Sequence, residues 1–413
     1  MISEISIENF KSVQELKLEL GRITVLIGAN GSGKSNILEA IAACSAAAGN
    51  KLDHEFLVSR GIRVPDDPHF MRSAFKAQHS EEDITIVVAS SPDEAASSDD
   101  KEPRVFHCVL QNQADKPYSS WTNVSPTLPG ITADKISRFD SMIDIMQEMQ
   151  VKIEKIPQLY EQMGNQMQPI IDDLDKLKSS HNELTQMVSV PSGFEDFLIY
   201  SPENTSLRTF ETEEQIQPLG IKGEGLFKLL TVLSREQDQE RLKEIKNRLT
   251  LLDWFEDFEV KSAASTGERT LSIKDKYLDE SLSYFTQKSA NEGFLFLLFY
   301  FTLFISRETP SFFAIDNIDA SLNPKLCRQL LKELSELAKT HNKQAIVTTH
   351  NPAVLDGLDL DDDGQRLYVV SRNKAGHTKV KRVMKQAALP DQKPVRLSEA
   401  FLRGYLGGLP GNF

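Results

Sequence analysis

The sequence predicts an α/β fold, in which a mixed sheet flanked by helices carries a phosphate-binding loop and is split by a helical insertion. Residues 28–35, Gly-Ala-Asn-Gly-Ser-Gly-Lys-Ser, fill the pattern G-x-x-x-x-G-K-[ST] between a strand-like and a helix-like segment. Two apolar, strand-like segments far along the chain end in Asp316 and His350. Between these parts, apolar residues recur from Phe139 at the spacing of an amphipathic helix.

The N-terminal third of the chain is rich in strand-like patterns. Residues 4–8 and 13–20 alternate apolar and polar side chains, which predicts two strands joined by a turn at residues 9–12. Residues 84–88 and 105–110 predict two more strands. This part of the chain is therefore expected to hold four strands in addition to the strand before the phosphate-binding loop.

The phosphate-binding loop has the context that its chemistry needs. The apolar segment 22–27 precedes it, and the helix-forming segment 36–44 follows it. Glycines let backbone N–H groups close around phosphate oxygens, and the N-terminus of the helix adds positive potential. Lys34 is expected to reach the β- and γ-phosphates, and the Ser35 hydroxyl to bind Mg²⁺. The residues predicted to bind the nucleoside triphosphate are Gly28, Asn30, Gly31, Ser32, Gly33, Lys34, Ser35 and Asn36.

A second cluster of candidate residues lies far downstream. The apolar strand before Asp316 has the Walker B arrangement, in which the carboxylate holds the Mg²⁺ that Ser35 also binds. A second apolar strand, residues 344–349, ends before His350, and the helical pattern of residues 323–341 connects the two. A lone histidine is more often structural than catalytic. At the carboxyl end of a parallel strand, however, His350 is placed to sense a γ-phosphate.

An amphipathic helical stretch separates the two sets of candidate residues. Apolar residues alternate at spacings of three and four from Phe139 to Leu177, a heptad pattern typical of a coiled coil. Pro157, Gly164 and Pro169 are expected to kink or break this helix, which makes a short arm. The arm either packs on the core as a helical hairpin or projects from it for oligomerisation or partner binding.

The expected organisation is one nucleotide-binding head in two parts. Residues 1–133 form its N-terminal part, residues 134–190 form the helical arm, and residues 191–413 form its C-terminal part. The length of 413 residues suffices for one large domain, or two, with a full core.

The composition indicates the cellular compartment in which the protein is expected to act. No stretch reaches the ~20 apolar residues that span a bilayer, so the most apolar run, residues 293–305, is predicted to be a buried core helix. The start of the chain lacks the basic-then-apolar pattern of a signal peptide. Cys44, Cys108 and Cys327 are isolated, which predicts neither a disulfide framework nor a zinc site. These observations predict a cytoplasmic protein without membrane contact.

The charge distribution has one basic feature. The net charge of −13 argues against a chain coated in DNA-binding surface, but residues 366–385 contain no acid and predict a hairpin. This basic segment is either a solvated hairpin face or a contact for nucleic acid or an acidic partner. Its basic residues are Arg366, Arg372, Lys374, Lys379, Lys381, Arg382 and Lys385.

Several motifs together resemble one family. The opening Ile7-Glu-Asn-Phe-Lys-Ser12, the phosphate-binding loop, the Walker B strand and Val347-Thr-Thr-His-Asn-Pro352 are similar to ABC-type ATPases of the SMC/RecF/OLD-like branch. Within that branch, residues 199–204, 218–226 and 404–413 resemble small ATPases found beside nucleases in bacterial anti-phage operons, above all the Septu ATPases (PtuA). The resemblance implies an ABC-type P-loop ATPase head that binds ATP and Mg²⁺ as a homodimer or higher homo-oligomer.

The resemblance also implies a site completed in trans. In that family ATP lies between two protomers, and the phosphate-binding loop of one faces the signature segment of the other. The candidate here is Ser289-Ala-Asn-Glu-Gly293, which precedes the apolar helix. Either Ser289 is the signature serine, or Asn291, Glu292 and Gly293 take the role of Ser-x-Gly; the second register is preferred, because Gly293 then opens the helix. The alternative use of Ser289 or Asn291 is an ordinary N-cap.

One departure from the family concerns catalysis. The family usually follows the Walker B aspartate with a glutamate that polarises the attacking water, whereas this chain has Asn317. An amide orients water by hydrogen bonds but cannot accept its proton. Asp319 is the nearest carboxylate, although it also fits the D-loop segment 319–322. Together with His350 these are the candidate catalytic residues, and slow hydrolysis is expected, with ATP acting mainly as a clamp.

Two functions of different class remain open. The first is a nucleotide-gated sensor or scaffold that assembles through ATP and controls a separately encoded nuclease or toxin in anti-phage defence. The second is a DNA-repair-type ATPase that itself clamps DNA and hydrolyses ATP. Asn317 and the acidic net charge favour the first function, and the basic segment 366–385 favours the second.

Overall fold

The structure is a computed structural model that describes residues 1–73, 82–91, 104–112, 120–125, 190–209, 218–235, 239–262, 269–279, 281–282, 284–384 and 395–408. Its strands are β1 (Ile2–Phe10), β2 (Val13–Glu19), β3 (Ile23–Ile27), β4 (Ile84–Ser90), β5 (Val105–Gln111), β6 (Thr122–Asn123), β7 (Ile199–Tyr200), β8 (Phe255–Ser262), β9 (Arg269–Asp275), β10 (Phe285–Thr286), β11 (Phe312–Ile315), β12 (Gln344–Thr349), β13 (Gln365–Arg372) and β14 (Thr378–Val383). Its α-helices are α1 (Lys34–Ala48), α2 (His54–Ser59), α3 (Leu226–Arg235), α4 (Glu240–Leu249), α5 (Glu292–Ile305), α6 (Pro324–Thr340) and α7 (Leu397–Leu402).

A six-stranded sheet forms the centre of the molecule, in the order β14-β13-β3-β12-β11-β7. Its strands are parallel except for β14, which pairs antiparallel with β13. Every residue of β3, β11 and β12 is buried. Strands covered on both faces read as continuous apolar runs, which is why the sequence around the candidate site shows no alternation.

Two smaller sheets flank the central one. The first is antiparallel, in the order β2-β1-β4-β5-β6, and the second is a three-stranded sheet in the order β10-β9-β8. β1 and β2 intersperse buried residues with partly or fully exposed ones, because only one face of an antiparallel sheet covers the core here. The four strands predicted in the N-terminal third are thus confirmed as β1, β2, β4 and β5.

Alternate residues of the central sheet face two hydrophobic cores. Val25 and Val347 pack on one face, in a cluster with residues of helices α3, α4, α5 and α6. Leu26 and Ile346 pack on the other face, with α1 and the five-stranded sheet. The predicted α/β fold of a mixed sheet flanked by helices is therefore confirmed.

Helix α5 is the most apolar element of the core. All residues from Phe294 to Ile305 are buried, as expected for a core helix rather than a membrane span. Within the described ranges, no helix is long and apolar enough to cross a bilayer.

The helical arm predicted for residues 134–190 cannot be assessed, because all of it except residue 190 lies outside the described residues. Lys385, at the end of the basic segment, also lies outside them, as do residues 409–413 of the tail. The division into head and arm therefore stays a prediction.

Candidate nucleotide-binding site

Three adjacent parallel strands end at the same edge of the central sheet. β3 ends at Ile27 before the phosphate-binding loop, β11 ends at Ile315 before Asp316, and β12 ends at Thr349 before His350. The carboxyl edge of an open parallel sheet is where such folds bind ligands. The structure thus brings together residues that the sequence separates widely.

The shape of the phosphate-binding loop favours glycine at specific positions. Gly31 and Gly33 have positive φ angles of 74° and 105°. A Cβ on Gly33 would lie 2.0 Å from Thr378 Oγ1, and one on Gly28 would lie 2.1 Å from the carbonyl oxygen of Val370. The loop is therefore held closely against the β13–β14 hairpin, with the Asn30–Gly31 tip exposed.

The loop offers donors that a phosphate group would satisfy. Ser32 Oγ is buried and has no hydrogen-bond partner among the described residues. Helix α1 begins at Lys34, has no side-chain cap on Gly33, and carries no acidic residue in its first turn. An uncapped helix N-terminus leaves backbone N–H groups free, and its dipole favours an anion. These residues fit a phosphate group.

Lys34 is folded into the loop. Its Nζ donates to the carbonyl oxygens of Gly28, at 2.8 Å, and Ala29, at 3.2 Å. Burial lowers the pKa of Lys34 to about 8, although the nearby carboxylates of Asp316 and Asp319 oppose the shift. The charged ammonium group is therefore held at the mouth of the loop against the desolvation cost of its burial, and a bound anion would offset that cost.

His350 lies beside this lysine, with its Nδ1 3.4 Å from Lys34 Nζ. Partial burial of the imidazole and the neighbouring ammonium group lower the pKa of His350. The ring is consequently neutral near pH 7, and it is placed at the same edge of the sheet as the loop.

Ser35 and Asp316 form the pair expected for a magnesium site. Ser35 Oγ donates to Asp316 Oδ2 at 3.0 Å, and Thr348 Oγ1 donates to Asp316 Oδ1 at 2.5 Å. A hydroxyl and one carboxylate, completed by phosphate and water oxygens, are the ligands that Mg²⁺ takes in such sites. The donor set fits the metal. Thr348 was not anticipated from the sequence, although a Thr-Thr pair ending an otherwise apolar strand is a signal for it.

The two residues proposed near the attacking water have different surroundings. Asn317 is exposed and has a φ angle of 58°, and its N–H donates to Thr348 Oγ1 at 2.9 Å. Asp319 Oδ1 accepts hydrogen bonds from Thr349 Oγ1, at 2.5 Å, and from the N–H of His350, at 3.3 Å. Asp319 therefore fixes the end of β12 that carries His350.

A chain of hydroxyl groups ties the loop to two other elements. Asn36 Nδ2 donates to Ser12 Oγ at 2.6 Å, and Ser12 Oγ is 2.7 Å from Thr378 Oγ1. Thr378 Oγ1 in turn donates to the carbonyl oxygen of Ser32 at 3.0 Å. Sequence reasoning missed Thr378, because its role depends on the packing of the C-terminal hairpin against the loop.

The candidate signature segment opens helix α5. Asn291 Oδ1 accepts a hydrogen bond from the N–H of Phe294 at 2.8 Å, so Asn291 is the N-cap, and the helix begins at Glu292 rather than at Gly293. Glu292 Oε2 accepts from Ser321 Oγ at 2.8 Å. Ser289, Asn291 and Glu292 are all exposed. The segment is therefore accessible to another molecule and lies next to residues 319–322.

The basic segment is partly neutralised by an acid from another strand. Residues 365–372 and 378–383 form the predicted hairpin, β13 and β14. Arg366 and Arg382 each donate to Glu19 Oε2 at 2.8 Å. Lys374, Lys379 and Lys381 remain exposed, so the described part of the segment keeps a smaller basic surface than its composition suggests.

A cavity of about 1100 Å³ lies elsewhere, at the edge of the central sheet where β11 and β12 begin. Its lining includes Lys343, whose Nζ donates to Thr309 Oγ1 and to the carbonyl oxygens of Thr309 and Pro310. Burial lowers the pKa of Lys343 to about 8. The cavity is therefore separate from the phosphate-binding loop, which lies at the opposite edge.

Comparison with known families supports the assignment of the loop. The model of the AAA ATPase domain family matches residues 1–355, which include the phosphate-binding loop, Asp316 and His350. No curated protein matches the chain.

Solved structures of similar fold include Smc heads. The chain is similar to an Smc head bound to the C-winged helix domain of ScpA, with 15% identity, a TM-score of 0.54, and coverage of 93% of this chain and 98% of that one. An SMC head domain from Thermotoga maritima gives 13% identity, a TM-score of 0.45, and coverage of 93% and 99%. A Pyrococcus furiosus Smc head with an extended coiled coil, bound to the C-terminal domain of ScpA, gives 14% identity and a TM-score of 0.49, with coverage of 93% of this chain and 96% of that one. The first of these likenesses shows that the fold is that of an Smc head.

Proposed function

The chain belongs to the AAA ATPase domain family, and from this premise we propose that it is an ATP-gated scaffold in which two copies close on Mg–ATP. The observation that carries the proposal is the Ser35–Asp316 pair, 3.0 Å apart beside the Lys34 ammonium group. Lys34 would bind the β- and γ-phosphates, and Ser35 and Asp316 would hold Mg²⁺. The metal ion, when bound, would neutralise charge on the triphosphate.

Slow hydrolysis is part of the proposal. Asn317 stands where the family usually has a glutamate, and an amide cannot take a proton from water. General-base help is worth about 10²–10⁴ in rate, so its loss leaves ATP bound long enough to act as a clamp. Asp319 is the nearest carboxylate, but its Oδ1 already accepts from Thr349 and His350. Its role would be to position His350 rather than to remove the proton.

The cover of the site would come from the second copy. Asn291 caps α5 with its Oδ1 and keeps its Nδ2 as a donor, while Gly293 lies in the first turn. This arrangement supports the register in which Asn291, Glu292 and Gly293 take the role of Ser-x-Gly. A helix N-terminus and an amide donor would then face the γ-phosphate of the partner copy.

The partner controlled by this scaffold is proposed to be a separately encoded nuclease or toxin of anti-phage defence. The similarity of residues 199–204 and 218–226 to the Septu ATPases supports this assignment. Within the described ranges, no group of three or more His, Cys, Asp or Glu side chains could hold a metal ion.

A DNA clamp is the second candidate, favoured by the exposed Lys374, Lys379 and Lys381. Because Glu19 pairs with Arg366 and Arg382, fewer basic side chains are available for phosphate contacts than the number of basic residues in the segment suggests. Each neutralised phosphate contact adds about 0.9 to the slope of log affinity against log salt. A clamp built on these lysines alone would have a shallow slope.

The two functions are separated by one set of measurements on the purified chain. With Mg–ATP, the scaffold predicts a stable ATP-loaded oligomer, slow turnover and no retention of duplex DNA. A clamp predicts salt-sensitive DNA binding with steady turnover. Steady turnover together with DNA binding that the triple variant Lys374→Ala, Lys379→Ala, Lys381→Ala abolishes would replace the scaffold with the clamp.

A further inference from the structure

Arg208 makes an unusual set of contacts beside the candidate signature segment. Its Nη1 donates to the carbonyl oxygens of Gln287, at 2.6 Å, and Lys288, at 2.9 Å, and its Nη2 donates to that of Ala290, at 2.8 Å. Its Nε donates to Asn204 Oδ1 at 3.0 Å. All four acceptors are uncharged, so this guanidinium group serves backbone geometry rather than a salt bridge. A planar fork of donors is suited to gathering several carbonyls.

These contacts orient the peptide groups just before α5. In a trans peptide the C=O and the next N–H point in opposite directions. Because the carbonyl of Ala290 points at Arg208, the N–H of Asn291 points away from it. The carbonyl oxygens of this turn, which carry partial negative charge, therefore lie on the side of Arg208. The backbone N–H groups at the start of α5 lie on the other side. An anion approaching the helix N-terminus would meet the N–H groups of the first turn, because the carbonyl groups of residues 287, 288 and 290 are directed at Arg208.

A second set of contacts joins the same residues to the loop after Asp316. Asn204 Nδ2 donates to Glu292 Oε1 at 2.7 Å, and Ser321 Oγ donates to Glu292 Oε2 at 2.8 Å. Arg208 and Glu292 are thus linked through the side-chain amide of Asn204. The acidic side chain of Glu292, which would repel a phosphate, is turned towards these two donors.

We propose that Arg208 is a positioning residue for the contact between two copies of this chain. It holds residues 287–290 so that the N-terminus of α5 is presented to the phosphate-binding loop of the second copy. The inference rests on the proposed function, because it requires that two copies pair on ATP. Arg208 touches no residue of its own phosphate-binding loop, so its effect falls on pairing and not on nucleotide capture.

The test compares Arg208→Ala with Arg208→Lys, which keeps the charge but loses the fork, and with Arg307→Ala, a change at an exposed arginine. Fluorescent ATP-analogue binding at low protein concentration reports capture, and sedimentation velocity with Mg–ATP reports pairing. We expect Arg208→Ala to bind the analogue within twofold of the unmodified chain and to pair at least tenfold more weakly. Arg208→Lys should pair more strongly than Arg208→Ala and more weakly than the unmodified chain. Arg307→Ala should pair as strongly as the unmodified chain. Pairing of Arg208→Ala at full strength overturns the inference.

A mixing experiment separates positioning in trans from a general loss of folding. Lys34→Ala lacks nucleotide capture but keeps its signature segment, whereas Arg208→Ala keeps capture but lacks the positioned segment. Mixed together, they make one complete site per pair, so energy transfer between labelled copies should appear on adding Mg–ATP. At the same concentration, Lys34→Ala alone should give no transfer, and Arg208→Ala alone should give at least tenfold weaker pairing than the unmodified chain. No transfer in the mixture overturns the inference. Failure of the unmodified chain to pair on ATP would instead reject the proposed function.

Discussion

At the scale of the residue, the backbone at Asn317 explains which side chains suit the position after the Walker B strand. Its φ angle of 58° lies in the left-handed region, where asparagine is tolerated and most other residues cost about 1–2 kcal/mol. The N–H of Asn317 is fixed by Thr348, which also donates to Asp316. The amide thus fits a conformation that is coupled to the magnesium ligand, and a glutamate there would be strained.

The first prediction concerns hydrolysis at this position. The unmodified chain should turn over ATP slowly. Asn317→Glu should raise the rate at least tenfold, because its carboxylate can take a proton from the attacking water and a general base is worth about 10²–10⁴ in rate. The same variant should lose about 1 kcal/mol of unfolding free energy from the left-handed backbone. Phosphate release and urea unfolding measure the two effects. Rapid turnover in the unmodified chain that Asn317→Ala leaves unchanged would contradict a clamp role.

The second prediction follows from the lysine pKa. Burial lowers the pKa of Lys34 to about 8, and a triphosphate favours the charged form, so the pKa rises on binding. The free protein therefore binds fewer protons than the complex near pH 8. ATP affinity should be highest below pH 8 and fall by up to about tenfold per pH unit above it.

Calorimetric titrations at pH 8 to 9, in two buffers of different ionisation enthalpy, should detect proton uptake on ATP binding. Lys343→Met is the matched control, because Lys343 has a pKa lowered to about 8 as well but lies at the opposite edge of the sheet. Uptake should persist in that variant. Equal heats in both buffers with the unmodified chain would show that Lys34 does not gain a proton.

At the scale of the element, the strand–loop–helix unit could be predicted from sequence because its pattern is local. β3, the phosphate-binding loop and α1 follow one another, and their residue types alone specify strand, turn and helix. Helix α5 was equally clear, since thirteen consecutive residues from Gly293 to Ile305 contain almost no polar side chain. Local composition was sufficient in both cases.

Elements held by distant contacts were not predictable in the same way. Thr378, Thr348 and Arg208 act through partners hundreds or tens of positions away, and no spacing rule connects them. The pairing of Glu19 with the basic hairpin was missed for the same reason, because β2 and β14 are brought together only by the tertiary fold. Positions of motifs can thus be read locally, whereas their supporting contacts depend on the assembled sheet order.

The third prediction compares two glycines of the phosphate-binding loop. In Gly31→Ala the new Cβ meets no atom within 4 Å. This variant should lose about 1 kcal/mol of unfolding free energy, which is the cost of placing alanine in the left-handed region. Gly33→Ala has the same backbone cost and adds a clash with Thr378 Oγ1, which is held by hydrogen bonds to Ser32 and Ser12. This variant should lose about 3 kcal/mol of unfolding free energy. Unfolding without nucleotide measures both. Equal losses would show that the hairpin does not press on the loop.

At the scale of the whole molecule, the central sheet joins the two ends of the chain. β3, from the N-terminal part, lies between β12 and β13, from the C-terminal part, so neither part completes the sheet alone. The site inherits this arrangement, since the loop comes from one part and Asp316 and His350 from the other. Cutting or replacing the segment between them would leave the site intact only if both parts stay together.

The most direct measurement of this arrangement is native mass spectrometry of the purified chain in Mg–ATP, with Lys34→Ala as control. We predict a species of two chains carrying two ATP molecules and two magnesium ions, absent without nucleotide and absent in the Lys34→Ala variant. A chain that stays a single, nucleotide-free copy in saturating Mg–ATP would contradict a triphosphate held by Lys34, Ser35 and Asp316 and covered by a second copy.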